Sequence, residues 1–185
     1  MRLALKITAG VLIALALLVA GAVAMLYLRA AKPEHPVGFA EFAIGDPQDQ
    51  PLAVAGWYPT DSSPSLSIVG LSAQMVATNA AVVGSDLPLV VISHGNGGML
   101  SSHADTALAL ASAGFVVAAV THTGDNARDD RYVGTPRWLT DRPRHIHAVL
   151  DYMLTGWPAH AQIDHARVGI FGFSVGGFSA LVSIG

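Results

Sequence analysis

The segment Gly172-Phe173-Ser174-Val175-Gly176-Gly177, directly after the apolar run Val168 to Phe171, constrains this chain more than any other feature. It has the G-x-S-x-G form of a turn that carries a serine from the end of a buried strand into a helix. A side chain two positions before or after that serine would strike the turn or the neighbouring strand, so both positions are expected to be glycine. Gly172 and Gly176 meet that demand. A serine so held points to nucleophilic chemistry, with Ser174 as the candidate nucleophile. In this arrangement the acid and the histidine of a triad follow the serine in chain order. No Asp, Glu or His lies between Ser174 and Gly185. The chain is therefore expected to be the N-terminal part of a longer enzyme and to lack activity when made alone.

The remaining pattern supplies a framework for such a turn. Leu87 to Ile92, Phe115 to Val120 and Arg167 to Phe171 read as short, apolar strands. Helices are expected between and after them: Ala104 to Ala113 closed by Gly114, about Arg142 to Leu154 with Pro143 in its first turn, and Val175 to Ile184. Uninterrupted apolar strands alternating with helices imply an α/β fold with a doubly wound, mostly parallel sheet covered on both faces. Upstream, strands are expected near 37 to 43 and 52 to 58, split by Gly45-Asp46-Pro47. Thr60 to Ser67 reads as a loop, and residues 68 to 86 as a helix or a surface excursion.

The front of the chain is of another kind. Ile7 to Leu28 carries no charge and, as a helix at about 1.5 Å per residue, would span roughly 33 Å, enough to cross a hydrocarbon core. Arg2 and Lys6 precede it, as in a signal sequence or a signal anchor. Ala20-Gly21-Ala22 and Ala22-Val23-Ala24 offer cleavage sites, whereas Met25 to Leu28 prolong the apolar run past them, so a cleaved signal and a retained anchor both stay open. The division expected is a signal peptide or membrane anchor over 1–30, a tether over 31–36, and the N-terminal part of the catalytic domain over 37–185. Either way that domain is expected to be exported, periplasmic or extracellular. There are no cysteines, which excludes disulfides and thiolate metal sites. Removing residues 1 to 24, which hold Arg2 and Lys6 and no acid, takes the formal charge from −3 to −5. That argues against nucleic acid or an anionic lipid surface as the main partner.

Position on the framework assigns further roles. The helix starting at Val175 aims free N–H groups at the serine, so the backbone N–H of Val175 is one expected donor to a tetrahedral oxyanion. The second should come from the loop after the first central strand, Ser93-His94-Gly95-Asn96-Gly97-Gly98, whose glycines allow close backbone approach. His94 is expected to orient that loop and not to act as base. His145 and His147, two apart, face different sides of a helix and cannot chelate together; both are expected to be partly exposed. His122, Asp125, Asp129 and Asp130 lie on a loop at the carboxyl edge of the sheet, facing substrate or simply solvated. His103, His160 and His165 read as surface or cap residues.

Taken together, the glycine loop and the serine turn resemble the α/β-hydrolase superfamily. Within it the chain is most similar to the bacterial proteins named predicted dienelactone hydrolases and to the related platelet-activating-factor acetylhydrolase-like lipases. Gly56-Trp57-Tyr58-Pro59 and Arg142-Pro143 ahead of Leu150-Asp151-Tyr152 add to the similarity, which covers roughly residues 37 to 185. The resemblance implies an α/β-hydrolase fold, the backbone N–H of Asn96 as the second oxyanion donor, motif glycines at Gly95, Gly97, Gly172 and Gly176, and no metal or organic cofactor. Dienelactone hydrolases proper use a cysteine nucleophile, which this chain lacks, so the lactone substrate does not carry over. What the resemblance implies is a serine hydrolase of carboxylic esters, including lipid or short-acyl esters, acting through an acyl-enzyme. A non-catalytic envelope binding protein and a peptidase of the same fold are the alternatives.

Overall fold

The computed structural model describes residues 2–185. Helix α1, Arg2–Arg29, is followed by β1 (Val37–Ile44) and β2 (Leu52–Pro59), an antiparallel pair in which Val37 lies opposite Pro59 and Ile44 opposite Leu52. Next come β3 (Ser65–Val69) and β4 (Ser72–Thr78), joined by a tight turn at Gly70 and Leu71 in which Gly70 takes a φ of 61°. The regular alternation follows: β5 (Leu87–Ser93), α2 (Ala104–Ser112), β6 (Val116–Thr121), α3 (Pro136–Thr155), a short 3-10 helix His160–Gln162, β7 (Ile163–Gly172) and α4 (Val175–Ser183). One seven-stranded sheet runs in the order β3-β4-β1-β2-β6-β5-β7. It is mixed, with β6, β5 and β7 parallel to one another and β2 antiparallel to both its neighbours.

The central strand shows why its sequence carries no polar alternation. Along β6, Val116, Ala118 and Val120 join one apolar layer with Leu52, Val54, Leu89 and Val91 under Ile146, Val149 and Met153 of α3. Val117 and Ala119 point the other way and join Phe39, Trp57 and Ile92 under Ala104, Ala107 and Leu108 of α2. Both faces of the strand are dry, so successive residues must all be apolar. At the other side of β5, β7 is an edge strand. Val168 and Phe171 keep 38% and 36% of their surface exposed, and Leu181 and Ile184 on α4 expose 68% and 74%.

Two expectations are corrected here. Thr60 to Pro64 is a loop as expected, but Ser65 to Thr78 forms the β3–β4 hairpin in place of a continued loop or a helix, and residues 79–86 run outside regular structure; the hairpin buries only Val69, Gln74, Val76 and Ala77. Serine, alanine and threonine are interspersed with the half-buried or exposed Leu66, Ile68 and Met75, so the two strands give no sustained apolar run. Helix α3 begins at Pro136, six positions earlier than expected. Pro136 occupies the first helical position, where its missing N–H costs nothing, and the Arg137–Asp141 ion pair at 2.9 Å supports that early turn. Pro143 thus sits inside the helix, not in its first turn.

Candidate active site

Between β7 and α4 the backbone makes a turn that few side chains tolerate. Ser174 has φ 53° and ψ −122°, outside the regions open to ordinary L-residues, and its side chain is exposed. The flanking glycines are required by contact. A Cβ on Gly172 would drive into the carbonyl of Gly176, and a Cβ on Gly176 would drive into the carbonyl oxygen of Ser93. The turn is therefore seated on the end of β5, where the strand gives way to the glycine loop.

That loop curls toward the serine. A Cβ at Gly95 would stand 3.0 Å from the Phe173 ring and 3.4 Å from Cβ of Ser174, so only glycine lets the two backbones come so near. The Gly98 N–H closes on the Gly95 carbonyl at 3.1 Å, and Gly97 takes a φ of 67°. Asn96 sits at the apex, exposed. Among the described residues, the N–H groups of Asn96 and Val175 and the hydroxyl of Ser174 have no hydrogen-bond partner. Two unused donors thus flank a serine, an arrangement that can accept a developing oxyanion.

The loop is held from beneath. His94 Nε2 accepts the His122 N–H at 3.1 Å, which leaves Nδ1 to donate to the Gly95 carbonyl at 2.6 Å. Burial pushes this imidazole down to about 4, and both its nitrogens are in use, so His94 orients the loop as expected. Asp125 accepts the Gly97 N–H at 2.9 Å through Oδ1, and through Oδ2 it accepts both the Trp138 Nε1–H and Arg142 Nη1, each at 2.5 Å. Arg142, 1% exposed, donates further to Ser179 Oγ on α4 at 3.1 Å, to Ser93 Oγ at 3.2 Å and to the His94 carbonyl. Deeper in, His122 Nε2 meets Ser93 Oγ at 2.8 Å, His122 Nδ1 meets His145 Nδ1 at 3.2 Å, and His145 Nε2 lies 3.4 Å from Asp46. Arg144 reaches the same Asp46 at 2.5 Å.

The sequence pattern of platelet-activating factor acetylhydrolase, isoform II, matches residues 64–137, from β3 to the start of α3 and including the glycine loop. A ferulic acid esterase from Streptomyces cinnamoneus superposes with a TM-score of 0.68 at 24% identity, over 84% of this chain and 58% of that one. The chain has the α/β-hydrolase fold. A hypothetical protein from Pseudomonas aeruginosa gives a TM-score of 0.54 at 19% identity, over 80% of this chain and 39% of its own. This chain thus spans little more than half the length of the first and well under half of the second. No match was found among curated proteins.

On the α/β-hydrolase fold the expected site residues fall as follows. Ser174, Gly172 and Gly176 lie at the strand-to-helix turn, and Gly95, Asn96 and Gly97 on the loop facing it. Three expectations fail. His145 is fully buried, not partly exposed, because α3 presents it inward beside Ile146 and Val149. His122 and Asp125 are also buried and engaged, so they neither face substrate nor lie solvated. Asp129 instead closes its own loop, accepting the Gly124 N–H at 3.0 Å, while Asp130 is exposed. His103 packs against Phe171 and Phe173 with ring centroids 5.3 and 5.5 Å away. Among the described residues no group of three or more His, Cys, Asp or Glu is placed to hold a metal ion.

The Asp125–Arg142 pair was not singled out from sequence, although a signal existed. Arg142, Ile146, Val149 and Met153 recur at helical spacing, so the arginine stands in the apolar stripe of α3. A charge in such a stripe calls for a buried partner.

Proposed function

We propose that this protein is a serine hydrolase of carboxylic esters. The observation that carries the reading is the strained, exposed Ser174 facing two unpaired backbone donors. The family match over the glycine loop and the likeness to an esterase support it. Ser174 Oγ attacks the ester carbonyl carbon while a general base takes its proton, and the carbonyl oxygen becomes an oxyanion between the Asn96 and Val175 N–H groups. Collapse of this intermediate breaks the bond to the leaving alkoxide, which takes up a proton and departs as the alcohol, leaving an acyl-serine. Water attacks that ester in the same way, releases the carboxylic acid and restores Ser174. His94 is not the base, since it holds the loop through both nitrogens.

Helix α1, with its long apolar stretch, is read here as the segment that takes the domain out of the cytoplasm and holds it on a membrane. In the full-length protein, a fluorophosphonate probe should label Ser174, and Ser174→Ala should remove both labelling and p-nitrophenyl acetate hydrolysis, by up to about a million-fold in rate. Undiminished turnover in the variant would refute the nucleophile.

A further inference from the structure

Every residue of α1 from Gly10 to Arg29 is exposed. Leu17, Leu18 and Leu28 expose 68%, 72% and 75% of their surface. Apolar surface of that extent demands a cover, and under the reading above the cover is a bilayer. The place where the helix leaves the body is fixed by backbone contacts. Ala30 is buried, the Ala31 N–H donates to the Ala73 carbonyl at 2.8 Å, and the Ala31 carbonyl accepts the Met75 N–H at 2.9 Å. Ala31 thereby lies parallel to Gln74, so the chain running back from Ala31 to Arg29 heads toward the turn at Gly70 and Leu71. The His35 N–H then ties the following segment to Ser112 Oγ at 3.0 Å.

The turn itself stands at the catalytic edge. Gly70 packs against Ser101, and Gln74, whose Oε1 accepts the Trp57 indole N–H at 3.1 Å, donates from Nε2 to the Ala104 carbonyl at 2.8 Å. Ser101 and Ala104 directly follow the glycine loop. Between turn and loop runs a groove of about 840 Å³ walled by Leu71, Gly97, Met99, Leu100, Ala127 and Arg128. Leu71 is as exposed as in an extended chain, and Ile68 is 58% exposed. At the helix end Tyr27 lies under the Lys32 ammonium, 4.8 Å from the ring centroid, with Arg29 close by in sequence. Aromatic and basic residues so placed suit the headgroup layer.

We propose that the tip of the β3–β4 hairpin, Ile68 to Leu71, is a second membrane contact beside α1, and that the two together press the catalytic edge and its groove against the bilayer surface. The proposal rests on α1 being retained in a membrane. Ala31 pairs beside Gln74, three residues past Leu71, and the turn walls the same groove as the glycine loop, so a bilayer that takes α1 lies close to the tip.

Residues 1–185 hold no cysteine, so a single introduced thiol among them can be labelled. Leu18→Cys, Leu71→Cys and Ala166→Cys would each be labelled with the fluorophore NBD in the full-length protein and reconstituted into phosphatidylcholine vesicles, with and without doxyl-labelled lipid. Ala166 is exposed near the start of β7, at the opposite edge of the sheet. The expected result is blue-shifted emission at positions 18 and 71 that loses most of its intensity to the doxyl lipid, and water-like, unquenched emission at 166. Quenching at 18 without quenching at 71 would overturn the hairpin contact while leaving α1 in the membrane. Water-like emission at 18 would overturn the anchor and the proposal with it.

Discussion

A serine at φ 53° and ψ −122° occupies backbone space that glycine enters freely, and the strain costs on the order of 1–3 kcal/mol. Ser174→Gly should therefore raise the melting temperature while abolishing fluorophosphonate labelling, whereas Ser174→Ala should lose labelling at unchanged stability. An unchanged or lower melting temperature in the glycine variant, read by calorimetry, would contradict the strain. On the facing loop, Gly95→Val pushes a branched side chain into Phe173 and Ser174 and should cut kcat by the roughly 100- to 1000-fold associated with losing one oxyanion donor. Asn96→Ala, which keeps the backbone N–H, should change kcat far less; a loss of equal size would make the side chain the donor. These residues were legible in the sequence because close backbone approach admits only glycine, and Gly95, Gly172 and Gly176 advertise it. The strain at Ser174 was not, since nothing in its own identity announces a positive φ.

At the scale of elements, the glycine loop keeps its shape because α3 reaches up to it. Asp125 and Arg142 are both essentially buried and lie 2.5 Å apart, and each fixes one side of the loop, the Gly97 N–H and the His94 carbonyl. Asp125→Ala would strand a guanidinium in the core and should cost about 3–5 kcal/mol, measured as a fall in the urea midpoint. A loss below about 1 kcal/mol, the range of an exposed pair, would show that the ion pair is not buried in solution. The framework strands β5 and β6 were readable from their unbroken apolar runs. The hairpin β3–β4 was not, because its buried side chains are few and half of its strand residues are serine, alanine or threonine. The start of α3 escaped for a related reason. Of its first turns, Pro136 to Thr140, only Trp138 reaches inward, to Asp125, and the regular buried spacing starts at Asp141.

For the whole molecule, the buried imidazoles set the acid limit. Burial holds His94 and His145 near 4 and pushes His122 well below its usual value, with Arg144 adding to the effect on His145 and Arg142 on His122. The unfolded chain takes up these protons around pH 6.5, whereas the folded one protonates His94 and His145 only near 4. Stability is therefore full above pH 6.5 and falls as the pH drops toward 4, by roughly 3 kcal/mol for each of His94 and His145, with His122 acting in the same direction. Asp46 contributes in a lower window. Burial pushes its carboxyl up, but the Arg144 and Gln48 hydrogen bonds and the charges of Arg144 and His145 outweigh it, so its share is lost only below about pH 4. Urea midpoints that stay level from pH 7 to 5 would contradict the histidine contribution. At the far side of the sheet, β7 and α4 present Val168, Phe171, Phe178, Leu181 and Ile184 to solvent. Residues 31–185 made alone should self-associate through this face, seen as a large species in sedimentation, and a monodisperse monomer would oppose that. The guanidinium of Arg142 has one further consequence. It touches residues 93, 94, 125 and 179 at once, so neither α4 nor the glycine loop can come loose by itself without leaving that cation short of acceptors. Fraying is suppressed, and the end of the molecule that carries Ser174 opens as a single cooperative unit or stays shut.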